Sequence, residues 1–306
     1  MFDETDENRM DPRNRQLLIN IDGNLLPRED AKVSVFDSSV QGGDAVWEGL
    51  RIYNGKIFML EEHLERLIDS ARAMDFAGIP PKDYIKKEIL KTLKANQMLD
   101  ETHIRLTLTR GRKTTSGMNP KLNIFGPTLI VLAEWKKPVY DQNGIFLVTS
   151  SIRRNPPQCI DSKIHHNNLI NNILAKIEAN YAGADDALML DIYGYVSETN
   201  ATNVFLVKKD RIFTPYADSC LPGITRKVIF RLAEENKIGI KEKRITISEI
   251  YSADEVFVTG TMGEITPVLG VDGRKIGQGF KGRLTTEIQK YYKEITRTEG
   301  YIINFE

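Results

Sequence analysis

Strands and helices do not alternate regularly along this chain of 306 residues, and their order limits the folds it can adopt. Two hairpin turns, Asp22-Gly23-Asn24 and Asn54-Gly55, each join short apolar segments that are typical of strands. Leu60, Leu64, Leu67, Ile68 and Ala71 then recur at helical spacing. Because parallel strands need a long crossover connection, this order predicts mixed or antiparallel sheets and an α+β fold.

Several neighbouring segments carry weaker patterns. Apolar residues at Val33, Val35 and Phe36 predict a further strand, and the glycine-containing stretch 37–44 predicts a loop. We expect residues 45–51 to form a short helix.

The length of the chain predicts two domains at about 150 residues each. Residues 1–15 are polar, lack apolar periodicity and predict a mobile tail. Residues 16–137 then form a smaller N-terminal domain, and residues 145–306 form a larger C-terminal one. Residues 138–144 begin with Pro, end with Gly and predict the linker.

The charge balance argues against several classes of partner. The chain has 42 basic and 42 acidic residues, so its formal net charge is zero, and we expect neither nucleic acid nor a membrane as a partner. The two cysteines, Cys159 and Cys220, have no metal-binding spacing and form no disulfide framework. With neither a signal-peptide pattern nor an apolar run near ~20 residues, we expect a cytoplasmic protein without a metal.

One stretch, residues 161–169, carries a lysine before an apolar helix pattern that starts at Leu169. Asn167 or Asn168 is a suitable N-cap for this helix, because its side chain can accept bonds from the first free N–H groups. Lys163 would then lie near the positive end of the helix dipole, which lowers the pKa of a lysine and favours a free amine. Such an amine can form a Schiff base with a carbonyl compound, although a solvated loop lysine is the commoner case.

Six blocks of sequence, in this order and spacing, resemble class IV pyridoxal-phosphate aminotransferases, most closely the branched-chain amino acid aminotransferases. The blocks lie between about Gln16 and Gln289 and comprise Val46-Trp47-Glu48-Gly49-Leu50-Arg51, Glu62-His63-Leu64-Glu65-Arg66-Leu67, the Lys163 stretch, Gly194-Tyr195-Val196-Ser197-Glu198, residues 221–226, and residues 253–257 with Gly260-Thr261. The resemblance implies the two-domain fold type IV, also found in D-amino acid aminotransferases. It also implies an active site between the domains and a C-terminal domain that binds the cofactor.

The same resemblance implies roles for individual residues toward pyridoxal 5'-phosphate. Lys163 resembles the catalytic lysine that bonds the cofactor, and Glu198 resembles the carboxylate that faces the pyridine nitrogen. The remaining cofactor-binding candidates are Arg66, Asn168, Ile224, Thr225 and Thr261. Arg66 would bind the phosphate, although taken alone it would be an exposed partner of Glu62. Ile224 and Thr225 would offer backbone N–H groups at a helix start.

The sequence departs from the family pattern on the expected substrate side. Gly42, His103 and Asn168 stand where branched-chain enzymes commonly have tyrosine. We therefore expect an altered pocket, and carboxylate binding that depends on the charge of His103 near neutral pH. The candidate substrate-binding residues are Gly42, Trp47, His103, Arg105 and Met262.

The implied reaction moves an amino group between a branched-chain-like amino acid and a 2-oxo acid such as 2-oxoglutarate, in a homodimer or higher homo-oligomer. Two alternatives keep the cofactor: a transaminase of D-amino acids or amines, and an aminodeoxychorismate lyase. A third alternative is a non-catalytic binding protein of the same fold, which the intact Lys163 and Glu198 argue against.

Overall fold

The computed structural model describes residues 10–305, which form two compact units. The described part of the first unit comprises residues 10–137, 164–168 and 299–305. The second unit comprises residues 138–163 and 169–298. Residues 1–9, most of the predicted tail, lie outside the described residues, and Pro12–Gln16 form a short 3-10 helix.

An antiparallel sheet is the centre of the first unit. Its strands among the described residues are β1 (Leu18–Ile21), β2 (Asn24–Pro27), β3 (Ala45–Tyr53), β4 (Lys56–Ile57), β5 (Thr102–Thr109), β6 (Thr128–Trp135) and β16 (Tyr301–Ile302). They lie in the order β16-β4-β3-β5-β6-β1-β2. Both predicted hairpin turns are confirmed, with Asp22, Gly23, Asn54 and Gly55 at positive φ.

Among the residues described, three α-helices accompany this sheet: α1 (Ser38–Gly42), α2 (Leu60–Ala73) and α3 (Lys82–Asn96). The predicted apolar face of α2 is confirmed, because all five of its residues are buried and all but Ile68 lie in one core cluster with Leu50, Ile85 and Ile89. Contacts between α2 and the sheet therefore fix which residues of the helix point toward β3.

The weaker predictions in this unit are wrong. Residues 45–51 lie in β3 rather than in a helix, because residues 45–52 pair one by one with residues 102–109 of β5. Residues 33–36 form no strand, and the side chain of Val35 is 71% exposed. The predicted loop at 37–44 contains the short helix α1, which Asp37 caps by accepting a bond from the backbone N–H of Ser39.

The second unit is built on a mixed sheet. Its strands among the described residues are β7 (Ile145–Thr149), β8 (Asp186–Leu190), β9 (Val196–Thr199), β10 (Asn203–Lys208), β11 (Arg211–Thr214), β12 (Gly239–Glu242), β13 (Glu255–Gly260), β14 (Glu264–Val271) and β15 (Arg274–Lys275). They lie in the order β12-β11-β10-β13-β14-β7-β8-β9, with β15 beside β14. The pairs β7·β8, β7·β14 and β11·β12 are parallel. The prediction of an α+β fold is confirmed.

The helices of this unit are α4 (Ile170–Tyr181), α5 (Ile224–Glu235), α6 (Ile247–Tyr251) and α7 (Arg283–Thr298). The predicted cap of α4 is wrong, because its N-cap residue is Leu169 and no side chain caps it. Six residues separate Lys163 from the start of α4, whereas the effect of a helix dipole falls off within the first turn. The predicted effect of this dipole on Lys163 therefore has no support. Across residues 10–305, no helix is both long and apolar enough to cross a membrane.

Candidate active site

A buried carboxylate lies among the candidate site residues of the first unit. Glu48, on β3, accepts hydrogen bonds from Nε of Arg66 at 2.7 Å and from Nη2 of Arg66 at 2.8 Å. Nδ1 of His63 lies 2.6 Å from Oε2 of Glu48, and Nδ1 of His165 lies 3.1 Å from Oε1. Each oxygen of Glu48 therefore contacts one guanidinium nitrogen and one imidazole nitrogen. The ion pair between Glu48 and Arg66 is bidentate.

The charge state of this cluster follows from burial and neighbouring charge. Burial acts to raise the pKa of Glu48, but His165, which is protonated in the acidic range where Glu48 titrates, and the cation of Arg66 hold that pKa well below its usual range through charge and hydrogen bonds. Burial lowers the pKa of His165 to about 4, against the opposing effect of Glu48. At pH 7 an anionic Glu48 is therefore paired with the cation of Arg66 beside a neutral His165. The side chain of Arg66 is only 14% exposed. The alternative in which Arg66 is an exposed partner of Glu62 does not fit this burial.

Residues 164–168, which directly follow Lys163, are aligned along β3. The backbone N–H of Trp47 donates to the carbonyl of His165 at 2.9 Å, and that of Asn167 donates to the carbonyl of Ala45 at 2.8 Å. Val46 and His166 form an antiparallel bridge between these two bonds. Backbone bonds to β3 thus hold residues 165–167 in the first unit.

A cationic group lies on the face of the sheet that carries Trp47. The guanidinium carbon of Arg105 lies 3.4 Å from the centroid of the Trp47 ring, and Nη2 donates to Oδ1 of Asn167 at 3.3 Å. Burial lowers the pKa of Arg105 to about 10, so it stays charged at neutral pH. Gly49 faces Arg105 across the strand pair, and a Cβ there would lie 3.2 Å from Nε2 of His103. This face therefore offers a cation held in place by Trp47 and Asn167, an arrangement able to bind a carboxylate.

The expected pH sensitivity of His103 is wrong. Burial lowers its pKa to about 3, and the positive charges of Lys136 and Arg105 act in the same direction. His103 is therefore neutral across the physiological range. It contributes shape and a hydrogen-bonding ring to this face, but no charge that changes near pH 7.

A second buried carboxylate, Glu198 on β9, lies in the second unit. Its Oε1 accepts from Nε of Arg154 at 2.7 Å, and its Oε2 lies 3.3 Å from Nδ2 of Asn203 and 3.4 Å from the backbone nitrogen of Leu221. Arg154 is held in turn by Asn171, whose Oδ1 accepts from Nη1 at 2.9 Å. Burial raises the pKa of Glu198, and Arg154 acts against this rise. The carboxylate is thus fixed in position by donors on its own unit.

The start of α5 is linked to Glu198 through Asn203. Besides facing Glu198, Nδ2 of Asn203 donates to the carbonyl of Leu221 at 2.9 Å. A Cβ on Gly223, the N-cap residue of α5, would lie only 2.1 Å from Oδ1 of Asn203, so this close approach requires glycine. No side chain caps α5, whose first two residues are Ile224 and Thr225. Backbone N–H groups at such a helix start favour an anion such as a phosphate.

Most of the chain matches the model of one protein family. The model of the amino-transferase class IV family matches residues 45–271, about three quarters of the length of this chain. The chain belongs to the class IV aminotransferase family. The resemblance deduced from the six sequence blocks is confirmed, and so is the fold type of this class IV aminotransferase.

Three proteins illustrate its similarity to relatives. The branched-chain-amino-acid aminotransferase-like protein 2 of Arabidopsis thaliana is 60% identical over 290 residues, which cover 94% of this chain but 52% of that protein. The D-alanine aminotransferase of Listeria monocytogenes is 32% identical over 289 residues, covering 92% of this chain and 98% of that protein. The solved branched-chain amino acid aminotransferase of Escherichia coli is 32% identical with a TM-score of 0.88, covering 93% of this chain and 96% of that one. This class IV aminotransferase thus spans about half the length of its Arabidopsis relatives.

The predicted site residues of this class IV aminotransferase fall into both units. The first unit holds Arg66, Trp47, His103 and Arg105 around β3, together with Gly42 and Asn168. Gly42 is exposed in α1, and a Cβ there would meet nothing within 4 Å. The second unit holds Lys163, Glu198, Ile224, Thr225, Thr261 and Met262. Lys163 is exposed, and Thr261 and Met262 follow directly after β13.

The structure also places residues in these clusters to which the sequence assigned no role. Glu48 and His63 stand inside two of the blocks that carry the family resemblance, but no pattern in the sequence links either of them to Arg66. His165 belongs to the Lys163 stretch, and only its contact with β3 reveals its position. Arg154 and Asn203 lie in segments without a recognisable pattern, and nothing in the sequence alone pointed to them.

Proposed function

We propose that this chain is an aminotransferase that moves an amino group between an amino acid and a 2-oxo acid such as 2-oxoglutarate, with pyridoxal 5'-phosphate as cofactor. One observation carries the proposal: Asn203 links the buried carboxylate of Glu198 to the uncapped start of α5. A cofactor that carries both a basic ring nitrogen and a phosphate needs Glu198 and the start of α5 to be held in fixed positions relative to each other.

The residues of the second unit fit this cofactor. A buried carboxylate is stabilised by a further cationic donor, which a protonated ring nitrogen supplies. Glycine at position 223 lets Asn203 approach the start of α5, because a Cβ there would overlap Oδ1 of Asn203. The backbone N–H groups of that helix start favour a phosphate. Ser162, next to Lys163, has a buried hydroxyl without a hydrogen-bond partner among residues 10–305, which is consistent with a group that binds nearby.

When bound, pyridoxal phosphate supplies a carbonyl that takes up the amino group and a ring that accepts electrons. Nζ of Lys163 would bond the cofactor and accept the proton that leaves the α-carbon of the substrate. Glu198 would keep the proton on the ring nitrogen. The backbone of Ile224 and Thr225, the hydroxyl of Thr261 and the guanidinium of Arg66 would bind the phosphate, with Glu48 fixing the orientation of Arg66. Asn168 would donate to the ring oxygen.

Arg105 is the group that we propose for the substrate carboxylate. It stays charged and is held against Trp47 by a contact of 3.4 Å and by Asn167. The relatives named branched-chain aminotransferases support an L-amino acid with an apolar side chain as the donor. Because Gly42 removes a side chain on the expected substrate side, we expect a broader range of donors than Leu, Ile and Val.

A transaminase of D-amino acids is the second candidate, and the similarity to a D-alanine aminotransferase favours it. We also propose that the chain works as a homodimer. A cytoplasmic location stays a prediction, and the two unpaired cysteines, Cys159 and Cys220, are consistent with it.

Two measurements test the proposal. Purified protein is incubated with pyridoxal phosphate and reduced with borohydride, and peptide mapping should find the label on Lys163, while Lys163→Ala should take up none. The kcat/KM values for L-Leu, L-Phe, D-Ala and an aryl amine are then compared with 2-oxoglutarate as acceptor. A label on another lysine would contradict the assignment, and turnover of D-Ala alone would select the second candidate. Labelled protein without turnover of any donor would support a binding protein instead.

A further inference from the structure

A cavity of about 120 Å³ opens on the second unit, and none of the candidate cofactor residues lines it. Its walls come from residues 156–158, residues 191–197 and residues 215–219, together with Arg244. An apolar cavity of ~150 Å³ in a protein can hold a benzene ring. This cavity therefore has room for a ligand group slightly smaller than benzene.

The walls of the cavity carry several side-chain rings. Three tyrosines and three prolines line it: Tyr193, Tyr195, Tyr216, Pro156, Pro157 and Pro215. Tyr193 is 75% exposed and Tyr216 is 45% exposed, so a ligand can reach their rings. Such rings offer flat apolar surface and lose little conformational entropy when a ligand binds. The walls therefore suit a compact apolar group.

Hydrogen bonds hold these walls in place. Oδ1 of Asp191 accepts two backbone N–H groups of its own turn, each at 2.9 Å. Oγ of Ser197 donates to the carbonyl of Ser219 at 3.1 Å, which joins two of the walls. The carbonyl of Pro215 accepts from Nη2 of the buried Arg226 at 2.9 Å. A site that is already formed costs a ligand less ordering entropy on binding.

Two opposite charges on the cavity have no ionic partner. The guanidinium carbon of Arg244 lies 5.4 Å from the centroid of the Tyr195 ring, and this side chain makes no ion pair within residues 10–305. The carboxylate of Asp218, which also lines the cavity, makes none in the same part of the chain. An unpaired cation and an unpaired anion beside one cavity complement a zwitterion.

We propose that this cavity binds a small amino acid with a compact apolar side chain, and that this amino acid is an effector of the cofactor site. The carboxylate of the amino acid would pair with Arg244 and its ammonium with Asp218, while its side chain would pack against the tyrosine and proline rings. Charge and shape of the cavity thus select the same class of ligand.

The walls of the cavity continue into the candidate cofactor residues. Ser197 directly precedes Glu198, and Ser219 lies five residues before the start of α5 at Ile224. A ligand that contacts both walls stabilises their present arrangement, and the proposed cofactor needs Glu198 and the start of α5 in that arrangement. Each of the two ligands should therefore tighten the binding of the other.

L-Proline is a suitable probe, because it is a compact zwitterion whose secondary amine cannot be transferred to a 2-oxo acid. Isothermal titration calorimetry on protein freed of cofactor should show saturable binding of L-proline. Cyclopentanecarboxylate lacks the ammonium and pyrrolidine lacks the carboxylate, so both should bind at least about tenfold more weakly. No saturable binding of L-proline to the wild type would overturn the proposal.

Substitutions place the probe in this cavity. Arg244→Gln should raise the Kd of L-proline roughly tenfold, and Asp218→Asn should weaken L-proline but not cyclopentanecarboxylate. Arg274→Gln is the matched control, because Arg274 also stacks on a tyrosine of this unit, 4.0 Å from the Tyr251 ring, but does not line the cavity. Equal losses from Arg244→Gln and Arg274→Gln would contradict the proposal. A loss with Arg105→Gln instead would place the probe in the proposed substrate site and overturn it as well.

The effect on the cofactor rests on the proposed function, whereas binding of the amino acid does not. Equilibrium dialysis gives the Kd of pyridoxal phosphate with and without saturating L-proline. We expect L-proline to lower this Kd about fivefold in the wild type and to leave it unchanged in Arg244→Gln. An unchanged Kd in the wild type would overturn the effector role. Protein that binds L-proline but takes up no cofactor would contradict the proposed function and leave the amino acid site standing.

Discussion

Replacing Glu48 by Gln should destabilise the first unit strongly, although the two side chains have nearly the same shape. The carboxylate is fully buried, and both of its oxygens accept bonds from Arg66. The amide keeps one acceptor oxygen and turns an NH2 group toward one of the guanidinium N–H groups of Arg66, so a donor faces a donor. The guanidinium of Arg66, whose side chain is 14% exposed, then loses the anionic acceptor of two of its hydrogen bonds.

The expected magnitude follows from the burial of this pair. Removing one partner of a buried ion pair costs about 3–5 kcal/mol, because the other charge stays uncompensated. For a unit of this size, this corresponds to a Tm lowered by roughly 6–20 °C. The folded-state pKa of Glu48 is depressed, so its stabilising contribution is present above its unfolded value near 4.5 and is lost as the pH falls further. The comparison therefore belongs at pH 7.5.

Thermal unfolding of protein freed of cofactor, followed by circular dichroism, measures this effect without relying on catalysis. Glu62→Gln is the matched control on the same helix. If Arg66 paired with Glu62 at the surface instead of with Glu48, Glu48→Gln would cost no more than this control. We expect Glu62→Gln to cost less than about 0.5 kcal/mol. A Glu48→Gln protein that unfolds within about 1 °C of the wild type would refute the reasoning.

Three further predictions address the second unit and pH. Glu198→Gln should lower kcat far more than it lowers cofactor affinity, because a neutral amide cannot hold the proton on the ring nitrogen; half-reaction rates that match the wild type would contradict this. Gly223→Ala should weaken cofactor binding in equilibrium dialysis at least about tenfold, because its Cβ would lie 2.1 Å from Oδ1 of Asn203, while Gly42→Ala should keep the affinity of the wild type. The pKa values of His165 and His103 fall from 6.5 to about 4 and about 3 on folding, so the unfolded chain takes up their protons first as the pH falls below 6.5. Each of these two histidines should therefore lower the free energy of unfolding by about 2 kcal/mol when the pH falls from 7 to 5, as measured by urea titration. A urea midpoint that is the same at both pH values would contradict this prediction.

Elements set by local chemistry could be predicted from the sequence. The Asn54-Gly55 turn needs two residues that tolerate positive φ, and these two provide it at 48° and 74°. Helix α2 carries an apolar stripe over three turns, and its five apolar residues are buried as predicted. In both cases the signal lies within a few residues of the structure that it specifies.

Elements set by distant partners could not be predicted in the same way. Residues 45–51 are mostly apolar, and such a short run suits a strand or a helix equally. Its strand conformation comes from pairing with residues 102–109, more than fifty positions away. Likewise, the apolar pattern of α4 predicts a helix, but it cannot say that Ala175 and Ala179 face the sheet while the larger residues face outward.

The same distinction applies to the candidate site. Lys163 and Glu198 stand in short blocks whose order identifies the family, so their roles could be inferred from the sequence alone. The position of Glu48 depends on partners 15, 18 and 117 residues away, and no local window contains all of them. Because a buried carboxylate is stable only when such partners converge on it, its role can be derived from the fold alone. If Glu48 does hold Arg66 in place, the first unit prepares the phosphate ligand before any cofactor arrives, and loss of Glu48 should weaken cofactor binding even in protein that remains folded.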